Sequence, residues 1–192
     1  TATLWGAVDP KDGLIYFYKE HYESNKPVNY HADIINKENS KIPYGRLFPP
    51  VADPSGQNRS MNDMFSMFDH YAEYGVYLTE ASNRLEDGIS KVYTYLELGK
   101  VRIFNNLKWF RWEAERYKYP EQKLENSESV AKRNVEKPVD RDNHLMDTFR
   151  YVIQELPDNP EDLLNPSYGF DEARVKEEHL PHALQDEYNA YS

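Results

Sequence analysis

Cysteine is absent from the 192 residues, which excludes disulfides, thiolate metal ligands and cysteine nucleophiles. Any metal must then be held by oxygen with imidazole in support, a donor set that favours Mg²⁺ or Mn²⁺ over structural zinc. No run approaches the roughly 18 apolar residues of a membrane span. No charged-then-apolar signal peptide opens the chain, so a soluble, intracellular protein is expected. No internal repeat is visible. Positive charge is in deficit, with 23 Lys and Arg against 33 Asp and Glu for a net charge of −10, which argues against a non-specific nucleic-acid coat. The deficit is uneven, however. Acidic residues gather after Leu156, among them Asp158, Glu161 and Asp162, whereas basic residues including Lys132, Arg133, Lys137 and Arg141 concentrate between residues 108 and 141. A basic face gripping phosphates and a solvated loop both fit that cluster.

The length suits one domain with a real core. Thr1–Val8 and Leu14–Tyr22 read as strands joined by a turn over Asp9–Gly13. Val28–Glu38 has helical spacing, and Gly45–Ala52 reads as an irregular strand that delivers Asp53 to its C-terminal edge. Met61, Met64, Phe65, Phe68 and Tyr71 predict an amphipathic helix whose stripe is core. Val76–Thr79 reads as a strand, Arg84–Leu98 as a helix stopped by Gly99, Val101–Phe104 as a strand and Leu107–Tyr117 as a helix. Residues 118–141 read as a long loop or a β-hairpin. The last helix is expected over Asp142–Leu156, followed by a polar tail with little packing potential. Alternating helices and strands after a strand pair predict an α/β fold with a mixed sheet.

Chemistry concentrates in two places. In the final helix His144, Asp147 and Tyr151 share one face, while Leu145, Phe149, Val152 and Leu156 form an apolar stripe. Asp142 stands where a carboxylate accepts backbone N–H groups. This segment reads either as a capped surface helix or as one that presents a metal ligand. Asp53, in Asp53-Pro-Ser-Gly56, is either a turn residue or a carboxylate at the strand end, where open α/β sheets place ligands. Joined, Asp53 and Asp147 fit two-metal phosphodiester hydrolysis, in which carboxylates hold divalent ions roughly 4 Å apart. His21, His31 and His70 read as structural. Glu113 and Glu115 read as a solvated face paired with Arg111 or Arg116, and Asn83 and Asp87 as helix-capping residues. Trp5, Trp109 and Trp112 read as core and surface, with no recognisable stacking platform.

Val51-Ala-Asp-Pro-Ser-Gly56, Tyr71-Ala-Glu-Tyr-Gly75, Asn83-Arg-Leu-Glu-Asp-Gly-Ile89, Glu113-Ala-Glu-Arg-Tyr117 and Asp142-Asn-His-Leu-Met-Asp-Thr-Phe-Arg-Tyr151, in that order, resemble the nuclease domain of tailed-phage terminase large subunits. The likeness spans residues 1–156 and leaves 157–192 as an acidic C-terminal tail. It implies an RNase H-like mixed sheet flanked by helices and a metal-dependent endonuclease that cuts concatemeric double-stranded DNA. Two Mg²⁺ or Mn²⁺ ions would be held by three acidic residues. Asp53 matches the second acidic motif and Asp147 the third, both as metal ligands and catalytic residues, with His144 beside them. Lys132, Arg133, Lys137 and Arg141 would bind DNA.

The family's first acidic residue lies on a strand ahead of the segment matching Thr1–Val8, so that strand is expected to be missing from this chain. Asp9 imitates the motif, but its turn chemistry favours the hairpin. The implied partners are the terminase ATPase domain, the small terminase subunit and the portal, in the cytoplasm of the bacterial host. No Gly-x4-Gly-Lys-Ser/Thr loop occurs, so packaging ATP hydrolysis is not expected here. Two rivals remain: a catalytically incomplete RNase H-like module that binds DNA or a partner of the packaging motor, and an unrelated α/β interaction domain.

Overall fold

The computed structural model describes residues 1–9, 11–42, 47–61, 64–118, 138 and 141–164. The strand pair forms as the sequence predicts. β1 (Ala2–Val8) and β2 (Ile15–Tyr22) pair antiparallel, with a register shift at Trp5/Gly6. Asp9 closes the turn, its Oδ1 accepting the Lys11 N–H at 2.9 Å. α1 (Val28–Asn39) follows, then β3 (Val51–Ala52), a 3-10 turn (Pro54–Gln57), α2 (Met67–Ala72) and β4 (Thr79–Glu80). α3 (Leu85–Glu97), β5 (Val101–Ile103), α4 (Lys108–Ala114), α5 (His144–Glu155) and a second 3-10 turn (Pro160–Leu164) complete the described elements. Gly99 ends α3 at φ +64°, as the sequence predicts for a left-handed C-terminal stop.

The strands are mixed in direction. β2 also pairs parallel with β5, giving the order β1-β2-β5, while β3 and β4 form a separate parallel pair. Leu4 and Trp5 are neighbours on β1 and therefore point to opposite faces. Leu4 enters a cluster with Phe17, Tyr95, Leu107, Phe110, Leu145, Phe149 and Ile153, beneath α3, α4 and α5. Trp5 enters a second cluster with Ala32, Ile35, Tyr71 and Val76, beneath α1 and α2. Phe149 centres the larger cluster, with ring centroids 4.9 Å from Phe17 and 5.4 Å from Phe110.

Several expectations change. The helix read from Met61 begins only at Met67, because Ser66 and Asp69 form a reciprocal capping box and Met64 has φ +64°, outside helical space. Phe68 and Tyr71 are buried, whereas Met61, Met64 and Phe65 are exposed, so the predicted core stripe is short. Asn83 does not cap α3, whose N-cap position is Arg84 with no side-chain cap. Asp142 does not cap α5 either: it sits at φ +52° and pairs with Arg141 at 3.3 Å. Past Pro157 the chain keeps packing. Leu163 joins the larger cluster, and Asp158 and Glu161 pair with Lys91 and Lys100 at 2.9 and 3.1 Å. Residues 119–137 and 165–192 fall outside the described residues.

The reading of Glu113 as a solvated residue is overturned. It is fully buried, and its Oε2 accepts the backbone N–H groups of Leu145 at 2.6 Å and Met146 at 3.2 Å. Neither α4 nor α5 has a local side-chain cap, so each takes one from the neighbouring element. Glu20 of β2 accepts the Trp109 and Phe110 N–H groups of α4, both at 2.9 Å. A carboxylate at a helix N-terminus satisfies orphan donors and meets the positive end of the helix dipole.

His21 and His31 form a buried pair, with Nε2 and Nδ1 2.8 Å apart. Burial holds both imidazoles below their usual range. A depressed histidine pKa means that the unfolded chain binds protons first, so stability is full above the unfolded value of about 6.5 and falls as pH drops through it. The thermal midpoint is therefore expected to drop between neutral pH and about pH 5, with a flatter profile in His31→Gln. Removing the cap of α5 in Glu113→Ala is expected to cost about 2–3 kcal/mol in urea unfolding. Exposed Glu115→Ala is expected to cost less than about 0.5 kcal/mol.

Candidate active site

Asp53 reaches its position because β3 pairs parallel with β4, the Ala81 N–H closing on the Ala52 carbonyl at 2.9 Å. Asp53 follows the carboxyl end of β3 and caps the turn Pro54–Gln57. Its Oδ1 accepts the Ser55 N–H at 2.7 Å. Its Oδ2 accepts the Tyr151 hydroxyl at 2.8 Å, which ties the strand end to α5 across 98 residues of sequence.

Asp147 stands one turn before Tyr151 on α5. Its Oδ2 accepts from Asn143 Nδ2 at 2.9 Å, and its Oδ1 pairs with Arg150 at 3.0 Å. Arg150 is itself buried. Its guanidinium lies 4.4 Å from the Tyr151 ring centroid and also donates to Gln154 at 3.0 Å. Gly88 of α3 leaves room for this arrangement, since a Cβ there would come within 2.8 Å of Arg150 Cγ and 2.7 Å of Gln154 Cδ.

These contacts fix the local electrostatics. Partial burial works to raise the pKa of Asp53, but the hydrogen bonds from Ser55 and Tyr151 and the charge of Arg150 outweigh it and hold the carboxyl below its usual value. Burial first, then the Asp53 carboxylate, pushes the Tyr151 phenol up to about 12. The hydroxyl therefore stays protonated and remains a donor. Burial and the neighbouring Glu113 likewise push Tyr22 to about 12.

Asp53, Asp147, His144 and Tyr151 line one open cleft, walled by β1 on one side and β3 on the other. His144 is exposed and faces Tyr22, with ring centroids 6.2 Å apart. Asp9 is held in its turn and does not line this cleft. The four carboxylate oxygens of Asp53 and Asp147 each have a protein donor, yet each keeps a second lone pair. The contacts orient the oxygens without exhausting them, and hard oxygen donors beside an imidazole suit Mg²⁺ or Mn²⁺. Among the described residues no group of three or more His, Asp or Glu side chains is placed to hold a metal ion.

Of the predicted DNA-binding residues, Lys132, Arg133 and Lys137 lie outside the described residues. Arg141 borders a separate hollow with Trp112, Arg116, Lys118 and Asp142. The sequence reading placed Tyr151 on the face of Asp147 but missed its contact with Asp53, and it missed Arg150 altogether. An arginine between an acidic residue and a tyrosine on an amphipathic helix was the available signal. No described helix is long and apolar enough to cross a membrane.

Tyr151→Phe is expected to raise the Asp53 pKa, because it deletes a donor to the ionised form. A carbon-detected NMR titration of the Asp53 carboxyl should shift to higher pH, with a stability loss of about 1 kcal/mol. An unmoved titration would contradict this account of the contact.

No family model matches the sequence, and no curated protein matches it. Solved structures do match. The large terminase of a thermophilic bacteriophage superposes with a TM-score of 0.62 at 23% identity, over 79% of this chain and 35% of that one. The P22 large terminase nuclease domain gives 0.59 at 18%, over 80% of this chain and 73% of that one. The nuclease domain of g2p, the large terminase of bacteriophage SPP1, with bound Mn, gives 0.56 at 20%, over 78% and 75%. This chain spans about a third of the thermophilic phage's protein. The α/β architecture read from the sequence is thus the RNase H-like fold of large terminase nuclease domains.

Proposed function

We propose that this chain is the metal-dependent endonuclease domain of a phage DNA-packaging terminase, cleaving concatemeric double-stranded DNA. The observation that carries the reading is the Tyr151–Asp53 hydrogen bond, which joins the β3 carboxylate to the helix of Asp147 at one cleft. The bound Mn of the SPP1 domain supports it. The nuclease domain, read from the sequence as residues 1–156, also takes in the turn Pro160–Leu164, whose Leu163 packs in its core.

Asp53 and Asp147 would hold the divalent ions, Mg²⁺ or Mn²⁺, together with the third acidic ligand that the family resemblance implies. When bound, two such ions activate water and stabilise the leaving 3′ oxygen. The protein groups keep the ligands ready. Ser55 and Tyr151 orient the Asp53 oxygens, Asn143 and Arg150 orient those of Asp147, and the depressed Asp53 pKa keeps its carboxylate ionised. Such supporting contacts sharpen metal affinity. His144, at the cleft, orients a water or an acidic ligand. Lys132, Arg133, Lys137 and Arg141 track phosphates, which makes binding fall as salt rises. The ATPase domain, small subunit and portal would bring the DNA, in the cytoplasm of the bacterial host.

A second reading, a module that binds DNA or a motor partner without cutting, is favoured by the absence of a three-residue acidic or histidine cluster among the described residues. Nicking of supercoiled plasmid in Mn²⁺ separates the two. The nuclease reading predicts nicking that EDTA stops and that Asp147→Ala reduces to background. DNA binding with no nicking supports the second reading, and equal nicking by both proteins would overturn the assignment of Asp147.

A further inference from the structure

Beside the carboxylate cleft runs a row of aromatic rings that metal chemistry does not use. His144 lies 6.2 Å from Tyr22, Tyr22 lies 5.4 Å from Trp109 with the ring planes 32° apart, and Trp109 lies 6.2 Å from Trp112 at 76°. Trp109 is 48% exposed, although its backbone N–H is fixed by Glu20. The indole is thus held on a rigid helix with much of its surface in water. Next to it, the Arg116 guanidinium lies 4.4 Å from the Trp112 ring centroid. Arg116, Lys118 and Arg141 border a hollow of about 370 Å³ with Trp112, and Asp142 supplies the opposing charge. The exposed residues of this helix and its continuation add Lys108 and Arg111 against Glu115, since Glu113 is buried. A protein of charge −10 therefore carries cations and stacking faces together, next to its candidate active site.

We propose that Trp109, with the Trp112–Arg116 pair, is a stacking site for the bases of an unpaired nucleic-acid strand, whose phosphates are met by Arg116, Lys118 and Arg141. Charge complementarity selects a polyanion. The exposed indole selects its unpaired form, because bases in a duplex already have both faces stacked on neighbours, whereas unpaired bases stack on aromatic side chains. The inference deepens the nuclease reading and rests on it for the nature of the polymer: frayed or displaced strand, rather than closed duplex, is held beside Asp147.

The test measures fluorescence anisotropy of a labelled oligothymidylate of about 10 nucleotides, within the usual range of single-strand site sizes, against a duplex of equal length. EDTA is present throughout so that no cutting intervenes. The single strand should bind more tightly than the duplex. Trp109→Ala should weaken single-strand binding about tenfold, Trp109→Phe should retain most of it, and duplex binding should be unchanged in both. Should Trp109→Ala fail to fold, quenching of wild-type tryptophan fluorescence decides, being expected with the single strand and not with the duplex. Equal affinity for the two forms, an unaffected Trp109→Ala, or absent quenching would overturn the proposal. Manganese-dependent nicking, measured in parallel, reports the nuclease reading separately. Nicking without single-strand preference overturns only the stacking site, and single-strand preference without nicking overturns only the cutting reaction.

Discussion

The carboxylate of Glu113, buried against the first turn of α5, is the contact on which the rest of the site depends. A helix that starts inside a protein exposes backbone donors that water cannot reach, and leaving them unmet is expensive. Here Glu113 Oε2 accepts from two of the α5 donors. The same device operates one step earlier, where Glu20 of β2 meets the first turn of α4. Position therefore passes from sheet to α4, from α4 to α5, and from α5 through Tyr151 to Asp53. Side-chain contacts of this kind connect the central strand pair to both candidate ligands.

Around the carboxylates the structure balances charge without removing it. Arg150 is buried beside Asp147 and tied to Gln154, with Gly88 leaving space for both. A fixed cation there pairs with Asp147 and helps to lower the Asp53 pKa, while leaving lone pairs on every carboxylate oxygen. Tyr151 adds a donor that stays protonated, because burial and Asp53 push its pKa up to about 12. The aromatic row through Tyr22 and Trp109 begins at the same helix turn, at His144. Chemistry and nucleic-acid contact would thus share one rigid support.

Much of this was legible in the sequence because it is local. The aromatic and aliphatic run Leu14–Tyr22 identified β2, Gly99 marked the end of α3, and the i, i+3, i+7 spacing put His144, Asp147 and Tyr151 on one face. What escaped was non-local. Glu113 sits between arginines in a polar-looking stretch and reads as solvent-exposed until α5 is packed over it. Asp142 looks like the cap of α5 only while the side chain that meets the helix donors, Glu113, is out of view, 32 residues from Leu145 in sequence. Met61, Met64 and Phe65 continue a helical spacing, but the Ser66–Asp69 capping box starts the helix after them. Trp109 gave no platform signal in sequence, since its exposure and its partners are set by β2.

The central claim is that Asp53 and Asp147 form one divalent-metal site organised by α5. Titrating the protein with Mn²⁺ while following paramagnetic broadening residue by residue tests it most directly. The account predicts early, selective loss of signal around residues 53–55 and 143–151, which Asp53→Asn and Asp147→Asn each suppress. Broadening that falls first on the acidic surface around Asp158 and Glu161, or that survives both substitutions, would contradict it.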